Sequence, residues 1–230
     1  MKRPVFVSWS GGKDSCLALY EVQRNGELAV EALLTTITRD YDRVSMHGVR
    51  RALLEQQAAS LGLPIREVLI PKGADNAAYE RATGAVLDAG RDAGIEAVVF
   101  GDLFLADIRA YREKLLARHG LEGLYPIWGR DTTALIGDFL RLGFKAVVVC
   151  VDPAKLDPSF AGRIIDEAFL ADLPSTVDPC GENGEFHTFV FDGPNFIAPV
   201  RFSIGEIVCR DSFWFCDLVP ESGDGRTKQC

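Results

Sequence analysis

The 230-residue chain is poor in histidine (three residues), methionine (two) and tryptophan (three), so no histidine-rich metal cluster or methionine-lined groove is on offer. No apolar run approaches the roughly 20 residues that span a bilayer. The start, Met1-Lys2-Arg3-Pro4, leads into a strand-like run rather than the zones of a secretory leader, so a cytoplasmic protein with no membrane partner is expected. Cys16, Cys150, Cys180, Cys209, Cys216 and Cys230 form no Cys-x-x-Cys pair and are too sparse for a secreted disulfide scaffold, which leaves reduced thiols as the expectation. Basic charge is short as well: 25 Lys and Arg face 33 Asp and Glu, a formal net charge of −8. The basic residues are scattered, whereas a surface that neutralises nucleic-acid phosphates needs a stripe of them, so no nucleic-acid partner is expected. No internal repeat or low-complexity block is present. What remains, 47% hydrophobic and 25% charged residues, is ordinary globular composition, enough for one large domain or a nucleotide domain with a smaller companion.

The densest chemistry follows the apolar run Val5-Phe6-Val7-Ser8-Trp9, in Ser10-Gly11-Gly12-Lys13-Asp14-Ser15. A strand that turns through two glycines into a helix presents unpaired N–H groups at the helix start, which is an anion site. Gly11 and Gly12 permit close approach of a polyanion, Ser10 and Ser15 supply hydroxyl donors, and Lys13 supplies charge. Asp14 beside an anion makes sense if a divalent cation, Mg²⁺, bridges it to phosphate oxygens. A Walker loop would need a glycine at position 7, and a dinucleotide fingerprint a third glycine at position 15; the residues there are Val7 and Ser15. The string resembles the PP-loop, Ser-Gly-Gly-x-Asp-Ser, of the N-type ATP pyrophosphatases. That resemblance implies ATP cleaved between its α and β phosphates, with the loop holding the departing pyrophosphate.

Strand-like and helix-like runs alternate along the first half: Val5–Trp9 and Asp14–Asn25, Ala29–Thr36 and Arg50–Leu61, Ile65–Ile70 and Asn76–Ala93, Ala97–Phe100 and Asp107–His119. Continuous apolar strands between helices predict a doubly wound parallel sheet, an α/β fold whose ligands bind at the carboxyl ends of the strands. Those ends carry Ser8, Thr36, Gly101 and Asp102, the last able either to hold Mg²⁺ or a ribose hydroxyl or to cap the next helix. The polar segment Thr38–Gly48 is long enough to be functional, and its His47 reads either as a phosphate or ribose contact or as an exposed loop histidine. After Trp128 the pattern changes. A helix over Thr132–Leu142, a strand over Ala146–Val151, a short helix over Phe160–Leu170 and strands over Phe186–Phe191, Val200–Val208 and Phe213–Val219 predict a smaller α+β domain. The expected division is 1–128 for nucleotide, 129–220 for substrate and 221–230 as a loose tail.

The second dense segment is Asp178-Pro179-Cys180-Gly181-Glu182-Asn183-Gly184-Glu185-Phe186-His187-Thr188. Two-residue alternation puts Glu185, His187 and Phe189 on one side of the strand, a carboxylate and an imidazole able to orient an amine and take its proton. A glycine-rich turn whose polar groups satisfy buried backbone is the structural alternative.

Together with Pro126-Ile127-Trp128, the two segments resemble the diphthine–ammonia ligase family over nearly the whole chain. The resemblance implies a HUP-type nucleotide domain followed by a smaller substrate domain. It also implies an activity: a carboxylate, diphthine on elongation factor 2, is adenylated by ATP, and ammonia then displaces AMP to give an amide. Ser10, Gly11, Gly12, Lys13, Asp14 and Ser15 would hold pyrophosphate and Mg²⁺, with Lys13, Glu185 and His187 catalytic. Gly181, Glu182, Asn183 and Thr188 would face the acyl adenylate, and no glutaminase segment precedes Pro4, so free ammonia or a separate amine donor is implied. Family members typically carry a Tyr-Gln-Arg-x-Arg-x-Glu-like helix after the fourth strand. Here Arg109 and Glu113 keep matching positions while the residues between differ, as in a divergent branch that amidates another carboxylate. Sulfur insertion into tRNA, or nucleotide sensing without catalysis, are the competing functions. The oligomeric state is left open, a homo-oligomer included.

Overall fold

A computed structural model describes residues 2–221, so the tail expected over 221–230 lies, apart from Glu221, outside the described residues. The first half runs β1 (Arg3–Ser8), α1 (Lys13–Asn25), β2 (Leu28–Thr38), β3 (Arg43–Val44), α2 (Arg51–Leu61), β4 (Ile65–Ile70), α3 (Asn76–Asp92), β5 (Ala97–Val99), α4 (Ala106–Arg118) and β6 (Glu122–Leu124). Five strands lie parallel in the order β4-β2-β1-β5-β6, the doubly wound α/β arrangement that the alternating pattern predicts. The chain moves one way across the sheet from β1 through β2 to β4 and the other way through β5 and β6. The order therefore reverses between β1 and β5, where such sheets open a crevice.

β3 has a specific consequence for that crevice. β1 pairs with β2 only as far as Ser8↔Leu34, and β3 pairs antiparallel at Ile37 and Thr38, whose other edge is occupied by β4. β3 thus takes over the edge that β1 vacates, which hangs the Arg39–Gly48 segment beside the turn that follows β1.

The second half contains α5 (Thr132–Arg141), β7 (Lys145–Val151), α6 (Glu167–Asp172), β8 (Phe186–Asp192), β9 (Phe202–Arg210) and β10 (Phe213–Pro220), with the strands antiparallel in the order β8-β7-β10-β9. β7 is buried along Ala146–Val151, the apolar run expected of a strand covered on both faces. The helix expected over Phe160–Leu170 is shorter and later. A single 3₁₀ turn over Pro158–Phe160 ends before Gly162, which has a φ of +82°, and Ile164 then bridges to Val147. α6 starts only where the Asp166 side chain accepts the Phe169 N–H, a cap that fixes the helix start.

Two apolar clusters sandwich the parallel sheet. Phe6, Leu34, Val68, Leu87, Val98 and Leu116 form the one beneath α3 and α4. The other runs from Val7, Leu17 and Leu33 through α1 and α2 into Phe139, Val147 and Phe189 of the second half, so the two sheets share a continuous core. Among the described residues no helix is long and apolar enough to cross a membrane.

Candidate active site

The turn after β1 is held in one conformation from several sides. Gly11 adopts a φ of +78°, and a Cβ there would lie 2.9 Å from Gln57 Oε1, so both backbone and space require glycine. Its carbonyl accepts from Val190 N–H at 2.9 Å and from Gln57 Nε2 at 3.0 Å. Ser10 Oγ accepts the Gly12 N–H at 3.2 Å, and Ser15 Oγ donates to Gly12 O at 2.9 Å. The two serines predicted to face the anion thus also brace the turn itself. The N–H groups of Asp14 and Ser15 donate to no backbone carbonyl among the described residues. They are the free donors of a helix N-terminus. Gly101, after β5, packs directly on them: a Cβ would stand 2.6 Å from Asp14 C and O and 2.9 Å from Ser15 N.

Around this turn lies a compact group of charges. Lys13 is buried, and its Nζ donates to both oxygens of Asp14, each at 2.9 Å. Burial opposes the Lys13 charge, but Asp14, Cys180 and Glu182 outweigh it and hold the lysine above its ordinary value. Burial raises Asp14 in spite of Lys13, and raises Asp102 in spite of its 2.9 Å ion pair with Arg112. Glu182 is pushed up to about 7 by burial, against the Leu103 N–H that its Oε1 accepts at 2.8 Å. Through that bond the second sequence segment grips the strand end that carries Asp102. Among the described residues no group of three His, Cys, Asp or Glu is arranged to hold a metal ion by itself.

The strand of the second segment docks onto the glycine turn. Thr188 is buried, and its Oγ1 accepts the Lys13 N–H at 3.1 Å, capping α1 from another sheet. His187 stacks on His47 with ring centroids 4.5 Å apart, and His47 Nδ1 lies 3.4 Å from Thr188 O. His47 is therefore no exposed loop histidine: a Cβ on Gly12 would be 3.1 Å from its Cε1. Burial and the nearby Lys13 bring His187 down to about 4, and burial together with His187 holds His47 well below the usual imidazole value. Glu185 has different partners from His187, accepting from Asp178 N and Asn183 Nδ2, both at 3.1 Å. It braces the turn in which Gly181, at φ +67°, has no room for a Cβ: one would lie 2.8 Å from Phe186 O.

At the carboxyl ends of β1, β2 and β5 a cavity of about 570 Å³ opens beneath α3 and α4, and it contains Ser8 and Thr36. Phe100, Tyr79 and Tyr111 give it aromatic walls, and Thr83 Oγ1, also in its lining, is buried without a hydrogen-bond partner among the described residues. Arg109 and Glu113 are not part of it. They pair with each other at 2.7 Å, and the guanidinium lies 4.5 Å from the Tyr125 ring and 4.8 Å from that of Trp128. The face of α4 that meets the cavity carries Ile108, Tyr111, Arg112 and Leu115 instead.

Sequence reasoning missed Gln57. This fully buried side chain accepts from Trp9 Nε1 at 2.8 Å and donates to Gly11 O at 3.0 Å and Val190 O at 2.6 Å, bridging the turn to β8. A signal was available: Gln57 occupies the face of α2 defined by Leu53, Leu54 and Leu61, a polar residue at an apolar position.

Comparison with known proteins adds a third observation. The family model described as the diphthamide synthase N-terminal domain matches residues 1–123, and that for the diphthamide synthase C-terminal domain matches residues 131–218. A Bos taurus protein named diphthine–ammonia ligase is 25% identical over 231 residues, covering 91% of this chain and 86% of its own length. The protein of that name from Danio rerio is 26% identical over 231 residues, covering 91% of this chain and 90% of its own. One from Schizosaccharomyces pombe is 28% identical over 128 residues, which is 54% of this chain and 21% of the yeast protein. The two family matches follow one another along the parallel-sheet half and the antiparallel-sheet half, and the chain belongs to the diphthamide synthase family.

Proposed function

We propose that the chain is an ATP-dependent, AMP-forming ligase that amidates a carboxylate with ammonia or a small amine, the reaction type for which its relatives are named. One observation carries the reading: the glycine turn with two free helix N–H groups lies at the reversal point of a parallel sheet, beside a strand-end cavity with aromatic walls. Such a turn suits a polyphosphate, and the cavity suits a nucleoside, with Ser8, Thr36 and the unpartnered Thr83 hydroxyl as polar contacts. Asp14 and Ser15 then bind pyrophosphate through backbone N–H groups, with Gly11 and Gly12 giving the turn its shape, Ser10 bracing it and Gly101 allowing the close approach of β5.

Mg²⁺ commonly keeps several waters and takes only one or two protein carboxylates together with phosphate oxygens. Asp14 and Asp102 are the residues that would hold it here, and it would neutralise charge on the departing pyrophosphate. Lys13 balances the carboxylates of Asp14 and Glu182 at the point where that charge develops. His187, neutral at physiological pH, accepts a hydrogen bond from the amine, while Glu182, Glu185 and Asn183 shape the turn around the acyl group, and Thr188 fixes the start of α1. In the named relatives the acid is diphthine, which on elongation factor 2 is one candidate substrate here.

The test is incubation with ATP, Mg²⁺, ammonium and candidate acids, followed by nucleotide analysis. Acid-dependent AMP and pyrophosphate are expected; ADP and phosphate as the only products would overturn the reading.

A further inference from the structure

His47 takes no part in the reaction proposed above, yet the chain is contorted to bring it to the glycine turn. Met46 before it and Gly48 after it both have left-handed backbone, at φ +65° and +71°. For methionine that conformation is strained, and surrounding structure has to impose it. The imposing contacts are present. His47 N donates to Ser45 O at 2.8 Å and Gly48 N to Val44 O at 3.0 Å, while Arg43 donates to Gly48 O at 2.6 Å and to Asp217 of β10 at 2.9 Å. A Cβ on Gly48 would lie 2.7 Å from the Phe215 ring, so β10 also packs directly on the segment.

The imidazole is thereby set between two places that a nucleotide would occupy together. The nearest atom that a Gly12 Cβ would meet is His47 Cε1, at 3.1 Å, and Met46 beside it lines the strand-end cavity. A nucleotide with its nucleoside in that cavity and its outer phosphates on the turn passes this ring. His47 Nδ1 is 3.4 Å from Thr188 O, which can only accept, so the proton of the neutral ring belongs on Nδ1. Nε2, one bond from Cε1, then carries a lone pair, and it can bond a phosphate oxygen only after gaining a proton.

Charge supplies the reason for that proton to arrive. The cations at the turn are already engaged: Lys13 Nζ donates to both oxygens of Asp14, and Arg112 pairs with Asp102 at 2.9 Å. The titratable and charged groups that face His47 are His187 on β8 and Lys13 on α1; on its own segment, Arg43 is paired with Asp217. Burial, His187 and Lys13 all favour the uncharged ring. A polyphosphate on the turn reverses that balance by setting several negative charges beside Nε2.

Resting on the ligase reading above, we infer that His47 is a phosphate-binding residue that takes up a proton from solvent as the nucleotide settles and donates it, from Nε2, as a hydrogen bond to a β- or γ-phosphate oxygen. One proton enters and no covalent bond changes. The charged ring holds pyrophosphate through its departure from AMP and returns the proton to solvent when pyrophosphate leaves the protein. His187, stacked at 4.5 Å, stays neutral because a second charge so close is opposed, which keeps its lone pair available to the amine.

The chain has three histidines, so imidazole NMR of the isotope-labelled full-length protein separates them, and His119, bonded to Asp88 at 2.9 Å, is the reference. The probe is pyrophosphate with Mg²⁺ near neutral pH. One histidine, missing from the spectrum of His47→Asn, is expected to pass from the neutral to the imidazolium pattern as pyrophosphate is added, while His119 and His187 do not. In calorimetry His47→Asn should bind pyrophosphate and ATP at least about tenfold more weakly, the loss of one charge-assisted hydrogen bond, with AMP affinity unchanged. Pyrophosphate bound with His47 still neutral, or a variant that loses AMP as much as pyrophosphate, overturns the assignment and leaves the ligase reading standing. An imidazolium His47 in a protein that turns ATP only into ADP and phosphate supports the assignment and overturns the ligase reading. A wild type that binds neither pyrophosphate nor ATP overturns both.

Discussion

Gln57→Met is the sharpest probe of how the glycine turn is held. Methionine is unbranched and close to glutamine in size, so the substitution removes hydrogen bonds with little change in packing. It leaves the Trp9 indole N–H without its acceptor and takes one donor each from Gly11 O and Val190 O. Gly11 O keeps the Val190 N–H, so the full penalty falls on the other two groups. A buried polar group left without its partner costs about 1–3 kcal/mol, which gives about 2–6 kcal/mol for the pair. Burying the thioether returns about 1 kcal/mol. The expected net loss is therefore about 1–5 kcal/mol, a large share of the ~5–15 kcal/mol typical of a folded domain. Urea unfolding followed by tryptophan fluorescence measures it directly, since Trp9 is the affected group. ATP affinity, measured by calorimetry below the unfolding transition, should fall as well, because Gly11 loses one of the two bonds that fix its left-handed conformation. A stability change under about 0.5 kcal/mol would refute the idea that this side chain locks the turn.

Two further outcomes follow from the same geometry. Gly101→Ala should abolish nucleotide binding and destabilise the fold by at least about 2 kcal/mol, because its Cβ would meet backbone atoms of Asp14 and Ser15, which cannot rotate away; calorimetry with ATP and thermal melting check both parts. Glu182 and His187 oppose each other in pH dependence. Glu182 titrates near 7 when folded against an ordinary value of 4.5, so the folded state binds the extra proton and stability falls as pH rises between those values. His187 titrates near 4 against 6.5, so the unfolded state binds the extra proton and stability rises with pH across that window. His47, also held below its usual value, adds to the rise in every variant, so the comparison is with the wild type: between pH 4.5 and 6.5 Glu182→Gln should make the profile rise more steeply and His187→Asn less steeply, each by at most about 1.4 kcal/mol per pH unit; parallel profiles in urea unfolding for all three proteins would contradict the assignments.

Much of the fold is written in local pattern. The strand Ile65–Ile70 is read with its observed bounds, and the glycine turn sits at the strand end where its residue types require it. The strands that escaped, β3 with two residues and β6 with three, are too short to show any alternation. Helix faces mark a different limit. Arg109 and Glu113, spaced i,i+4, pair with each other, but α4 has so little apolar contrast that its sequence does not say which face meets the sheet. The inward face carries Ile108, Tyr111 and Arg112, and Arg109 lies on aromatic rings outside the cavity.

The second segment shows which part of a candidate site a sequence leaves open, the partners of its individual side chains. Alternation along β8 put Glu185 and His187 on one side as a catalytic pair, with Thr188 toward the substrate. In the structure Glu185 accepts from the preceding turn, and Thr188 accepts the Lys13 N–H. Both are bonds to backbone or turn groups whose positions depend on where the second sheet docks, and no local periodicity encodes docking. The docking has a functional consequence: β8 supplies Thr188 Oγ1 to one α1 N–H and Val190 N to Gly11 O, so two groups of the glycine turn are fixed from the other half of the chain. A turn bonded in this way keeps its remaining N–H groups, those of Asp14 and Ser15, aimed at the crevice only while β8 is in place. On the proposed function the antiparallel half is thus part of the anion site, and a shift of β8 caused by a ligand against His187 would reach the nucleotide through Thr188 without any direct contact between the two ligands.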